Sequence, residues 1–208
     1  MTLDFNGDGL VTYQVEGKVL DSVVSPDGST MRDAVANKGT IQANGGTVVL
    51  HAQAAGAVFD SLVNNSGVIQ ASSLENHGGV VVLEGSAPVE NTGELGWRTH
   101  LGEVQEAEGI VLHTGEIDVA AIEAGAEAGT VTLSGQYVGV SGSIDARGGG
   151  NVLVTSSTRT VITSSASIDV SGQGSGSAGT AVVWSDADTL FYGTILGRGG
   201  ELGGDGAS

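Results

Sequence analysis

Asp4, Asn6 and Asp8 stand at alternate positions in DFNGDG and offer the hard oxygen donors that a calcium ion takes. In an EF-hand-like loop they would fill the first, third and fifth positions, with the Leu10 carbonyl at the seventh. The twelfth position holds Val15 instead of a bidentate acid, which leaves neighbouring Glu16 to complete the shell. A tight polar turn held by Asn and Asp side chains uses the same residues, and both readings stay open. Asp186 and Asp188 in VVWSDADTLFYG have the spacing of two carboxylates on one strand face, the raw material of acid–base chemistry on polysaccharides. No basic or ligand set is evident nearby, and WSDADT reads more simply as a turn between two apolar strands.

The four histidines, His51, His77, His100 and His113, are scattered with no two at ligand spacing, so no zinc site is expected. The chain has no cysteine, which excludes disulfides, thiolate metal sites and a cysteine nucleophile. Serine and threonine are abundant without a Ser-His-Asp context, so no catalytic residue is expected. The richest mixture of side-chain chemistry is Trp97, Arg98, His100 and Glu103, inside the segment SAPVENTGELGWRTHLGEVQEAEG at 86–109. These four are the candidate binding residues of a loop that leaves an otherwise regular pattern; the alternative is a solvated loop in which Trp97 caps an apolar edge.

The elements that must position these residues follow from composition and repetition. At 208 residues and 39% hydrophobic the chain is large enough to bury a core. Its 36 glycines against 2 prolines separate it from proline-rich linkers, and the absence of a three-residue glycine period separates it from collagen. The glycines therefore serve turns. With 24 acidic against 7 basic residues, the formal net charge of −17 argues against nucleic acid and against anionic lipid surfaces. No apolar run reaches the roughly 20 residues that a spanning helix needs, so membrane insertion is not expected. Only 15% of residues are charged, so the polar surface is mostly Ser, Thr, Asn and Gly, which suits a secreted or carbohydrate-rich environment.

A short unit recurs: NKGTIQA around Ile41, NSGVIQA around Ile69, NTGELG around Leu95, HTGEIDV around Ile117, VSGSIDA around Ile144, SASIDV around Ile168 and YGTILG around Ile195. The intervals are 28, 26, 22, 27, 24 and 27 residues, about 26 on average, which is a solenoid period. A second element follows five of these units after a glycine: GGTVVLHA, GGVVVLEG, AGTVTLSG, GGNVLVTS and AGTAVVWS. These are short, β-branched and partly alternating, as half-buried strands are. A third apolar stretch appears at Ala57–Phe59, Tyr137–Val140, Thr160–Ile162 and Leu190–Tyr192. Three short strands per repeat predict an all-β fold, a right-handed parallel β-helix of about 26 residues per coil. A β-sandwich is the alternative, but its strands need not resemble one another at a fixed spacing. Residues 1–36 are expected to lead into the solenoid and 37–208 to form it, with the excursion at 86–109.

The strings LDFNGDGLVTYQVEG, ANKGTIQANGGTVVLHAQAA, VNNSGVIQASSLENHGGVVVLEG, GSIDARGGGNVLVTSS and TAVVWSDADTLFYGTILGRGGELGGDGA resemble the exoproteins of two-partner secretion systems, the filamentous-haemagglutinin-like family of large Gram-negative adhesins. The resemblance runs over nearly the whole chain and matches the region after the secretion domain and the start of the repeat shaft. The Asn-Pro-Asn-Gly type motif of the secretion domain is missing. The resemblance implies export through a dedicated outer-membrane transporter, a β-helical shaft at the surface of a Gram-negative bacterium or released from it, and attachment to host cells, surfaces, biofilm matrix or sister cells. It implies no shared catalytic residues in the shaft. The function expected is therefore that of a non-enzymatic, monomeric adhesin segment with a carbohydrate, cell-surface or matrix ligand and no cofactor beyond the calcium considered above. A passive spacer projecting a distal adhesive or toxin tip, and a polysaccharide-active enzyme of β-helix type, are the alternatives. A secreted reading takes the chain as an excerpt of a longer protein, since MTLDFNGDGLVTY lacks the basic region and apolar core of a signal peptide.

Overall fold

A computed structural model of the chain describes residues 10–15, 29–53, 61–72, 78–86, 109–123 and 126–207. Glycine fixes where its strands begin. In ANGGTVVLHAQ, Gly45 takes a φ of 69°, a conformation that costs an L side chain energy, and the β-branched run after it starts a strand at Thr47. No helix occurs among the described residues, so none there is long and apolar enough to cross a membrane.

The strands pair in parallel and build three ladders. The first runs through β1 (Leu10–Val15), β4 (Thr47–Gln53), β7 (Val80–Ser86), the first half of β10 (Thr130–Val140), the first half of β12 (Asn151–Ile162) and β14 (Thr180–Ser185). The second runs through β2 (Asp33–Asn37), β5 (Ser61–Asn65), β8 (Ile110–His113), the second halves of β10 and β12, and β15 (Asp188–Phe191). The third holds β3 (Thr40–Gln42), β6 (Val68–Gln70), β9 (Glu116–Asp118), β11 (Ser143–Asp145), β13 (Ser167–Asp169) and β16 (Thr194–Leu196). β10 and β12 cross from the first ladder to the second, and their register shifts between Gly135 and Tyr137 at that corner.

Register stacks like on like. The third ladder carries a column of isoleucines, Ile41, Ile69, Ile117, Ile144, Ile168 and Ile195, the middle four of which are fully buried. Opposite it, Val48, Val81, Val131 and Val152 form one inward row of the first ladder, and Leu50, Leu83, Leu133 and Val154 the next. Val63, Val111 and Val138 point inward from the second ladder and close one continuous core. No single set of three strands could bury these side chains alone; each is covered by the levels on either side. Each fully buried Val, Leu or Ile contributes about 1.5–3 kcal/mol relative to exposure.

The corner between the second and third ladders repeats one device. The amides of Ser66 and Gly67 both donate to the Asn37 carbonyl, those of Thr114 and Gly115 to Asn65, and those of Ser141 and Gly142 to His113. A Cβ on Gly67, Gly115 or Gly142 would strike the carbonyl oxygen of the glycine one level before it, namely Gly39, Gly67 or Gly115. At Gly67, Gly115 and Gly142 glycine is therefore required by close stacking of backbone on backbone; the level of Ile168 has Ala166 at the same place.

One expectation is corrected, and another falls outside the described residues. The sequence pattern places a repeat at Leu95 between those of Ile69 and Ile117, yet β6 has β3 on one side and pairs directly with β9 on the other, Ile69 against Ile117. A strand has only two edges for backbone pairing, so β6 and β9 are successive levels of the third ladder; Leu95 itself lies outside the described residues. The first and second ladders make the same step directly, β7 to β10 and β5 to β8. The third-strand stretch read at Ala57–Phe59 falls outside the described residues, and the strand of that level in the second ladder is Ser61–Asn65.

The isoleucine column yields a direct test. Ile144→Ala is expected to lower unfolding stability by about 2–5 kcal/mol, whereas Ile122→Ala, at a residue 56% exposed, is expected to change it by under about 0.5 kcal/mol. Urea denaturation followed by circular dichroism measures both.

Candidate functional site

Of the residues singled out in sequence, Asp4, Asn6 and Asp8 of the calcium motif and Trp97, Arg98, His100 and Glu103 of the loop lie outside the described residues, as does His77. Among the described residues no group of three or more His, Cys, Asp or Glu side chains is placed to hold a metal ion. Three other arrangements of polar residues are brought together by register.

The first is buried. Asn37, Asn65 and His113 occupy one inward row of the second ladder, where Val140 and Ile162 continue it. Asn37 Nδ2 donates to Asn65 Oδ1 at 2.8 Å and to the Val68 carbonyl at 3.2 Å. Asn65 Nδ2 lies 3.2 Å from His113 Nδ1, and His113 Nε2 lies 3.0 Å from the Ser143 carbonyl oxygen. An amide nitrogen only donates and a carbonyl oxygen only accepts. His113 is thus neutral, with its proton on Nε2 and its Nδ1 lone pair facing Asn65. Burial pushes its pKa down from 6.5 to about 4, outweighing the hydrogen bonds to Ser143 and Asn65. Each partner meets a need of the next, which is how three polar side chains survive inside an apolar stack.

The second is a row of aspartates on the third ladder, Asp118, Asp145 and Asp169, stacked in register. Each carboxylate accepts from the backbone amide two residues on: Ala120 at 3.0 Å, Arg147 at 3.1 Å and Ser171 at 2.9 Å. Arg147 also donates through its side chain to both oxygens of Asp145, at 2.6 Å from Nη2 to Oδ2. The hydrogen bonds and charge of Asp145 raise the Arg147 guanidinium above its ordinary value. This row turns the chain at the end of each strand, and its like charges are relieved by amides and one guanidinium.

The third lies on the outside, where β14 passes into β15. Trp184 is 58% exposed, and its indole Nε1 donates to Asp186 Oδ1 at 3.1 Å. Asp188 pairs with Arg159 at 2.6 Å across β12 and β15. Thr155 is the register partner of Trp184, and Leu153 that of Val182, so the indole continues a strip of outward side chains. Asp186 lies between the two strands, as read from sequence, whereas Asp188 is the first residue of β15, and each is engaged by a different neighbour. Arg159 is not legible in the sequence as a partner of Asp188 because it is 29 residues away, outside the 22–28 residue intervals of the repeat; the register of β12 and β15 brings the two together.

A recess of about 500 Å³ is lined by Leu112, Gly139, Val161 and the hydroxyls of Thr114, Thr163 and Ser165, among others. None of its lining residues titrates near neutral pH. Comparisons with protein-family models, with curated proteins and with solved structures find no match for this chain.

The buried column makes stability depend on pH. The folded pKa of His113, about 4, lies below its ordinary 6.5; between these values the unfolded chain binds the extra proton. Its contribution is therefore complete above pH 6.5 and is lost as pH falls toward 4, amounting to about 3 kcal/mol. Urea midpoints at pH 7.5 and 4.5 should separate more in the natural protein than in His113→Asn, where the separation from carboxylates alone remains.

Proposed function

We propose that the three ladders wind as one right-handed parallel β-helix, about 26 residues and three strands to the coil, and that this rod is a segment of a large secreted bacterial surface adhesin. The observation that carries the reading is the unbroken in-register stacking of the ladders, six levels deep. At roughly 4.8 Å per level, five steps give a rise of about 24 Å. A stack of this kind grows along one direction and shows solvent its outward rows, a geometry suited to carrying binding groups away from a surface. The acidic charge of −17 and a polar surface dominated by Ser, Thr and Asn fit an extracellular scaffold that meets uncharged partners. The likeness of its strings to two-partner secretion exoproteins supplies the class, with export by an outer-membrane transporter and attachment to cells, surfaces or matrix as its role. Trp97, Arg98, His100 and Glu103 at 86–109 are one candidate contact region, and Asp4, Asn6 and Asp8 a candidate calcium loop.

The test is adherence. Beads coated with the purified chain should be retained on cell layers, biofilm matrix or glycan-coated plates several-fold above beads coated with an unrelated acidic protein. Retention no greater than that control on every surface supports a passive spacer and overturns the adhesive reading.

A further inference from the structure

We propose that the outer face of β12 and β14 around Trp184 is a binding platform for a neutral sugar ring, an inference that rests on the adhesive reading and names a contact for it. Leu153, Val182 and Trp184 are 38%, 43% and 58% exposed. Leu153 has a paired strand on each side, β10 and β14, so its exposure is a property of the lateral face and not of the ladder's edge. The hydrogen bond from Nε1 to Asp186 ties the indole by its edge while more than half of the residue stays exposed. Thr155 stands beside the ring in register, and Asp188 with Arg159 sits just past the turn.

This combination suits a pyranose better than other occupants. A sugar ring offers an apolar C–H face to stack on an indole and a rim of hydroxyls that donate to carboxylates and accept from a guanidinium or a threonine hydroxyl. Asp186, Asp188 and Arg159 supply those rim partners. Charge narrows the choice further: at a net −17, sulfated or uronate chains are repelled, and so is a second copy of this protein. An uncharged glycan meets neither penalty. A purely apolar partner would strip water from the Asp188–Arg159 pair and from Asp186 and offer their remaining hydrogen-bonding capacity nothing in exchange.

Isothermal titration of the full chain with cellohexaose and with the hexamer of N-acetylglucosamine, alongside heparin and polygalacturonate, tests the assignment. Binding of a neutral hexasaccharide, weakened at least tenfold in Trp184→Ala and largely kept in Trp184→Tyr, is expected. Because Trp184 is exposed, the alanine variant should fold with unchanged circular dichroism. Heat with the anionic chains only, no heat with either neutral hexamer, equal affinity in Trp184→Ala, or a dimer in sedimentation that Trp184→Ala dissolves would each overturn the platform. Beads that adhere to cells equally well with natural and Trp184→Ala protein, while neutral hexamers give no heat, would defeat the platform and leave the adhesive reading standing.

Discussion

Parallel pairing in register is the constraint on which everything else in this protein depends. Each inward side chain meets its counterparts on the levels before and after it, so Ile144 packs between Ile117 and Ile168, and Leu83 lies between Leu50 and Leu133. One change in size or polarity is felt by both neighbours at once, because interiors are close-packed and relax only in part. The same constraint sets the polar chemistry. Asn65 is tolerated in the interior because register puts Asn37 on one side of it and His113 on the other. Glycine recurs at the corner after the second ladder because the backbone there lies directly against the backbone of the previous level. Even the aspartate row is a consequence: three acids would not stack if each did not cap its own turn.

Much of this is legible in the sequence, for a physical reason. A stacked fold writes its period into the chain, since every level must solve the same packing problem with similar residues. The Ile-centred units mark the third ladder at six of the seven positions read, and the glycine-led runs TVVL, VVVL, TVTL, NVLV and TAVV mark the first. The seventh, at Leu95, copies the glycine-plus-aliphatic pattern but lies outside the described residues, and Ile69 pairs directly with Ile117. A local motif records propensity; whether a strand finds an open edge is decided by the whole stack. The second ladder was harder to see because its strands Asp33–Asn37 and Ser61–Asn65 carry asparagine and aspartate where apolar residues are the usual sign of a strand.

The polar sites show the same division. Asp186 and Asp188 are visible as a pair in sequence, yet what they do is set by Trp184, two residues away, and by Arg159, a full level away. His113 looks like any scattered histidine until register buries it beside Asn65 and depresses its pKa. Residues whose role depends on a neighbour about one period distant are readable only once the register is known. The outward strip ending at Trp184 belongs to that group, because alternation says which side chains point out and register says which of them adjoin.

Because register governs core, corners and sites alike, the most direct measurement is the separation of two residues that the stack makes neighbours across the undescribed stretch 87–108. Val68 and Glu116 are register partners in β6 and β9. The chain has no cysteine, so Val68→Cys/Glu116→Cys can be spin-labelled at these two sites alone. Strand neighbours about 4.8 Å apart should give strong dipolar broadening in continuous-wave spectra. Spectra equal to the sum of the two single-label spectra would mean that another strand stands between them, or that the ladders do not stack in this order, and would contradict the account.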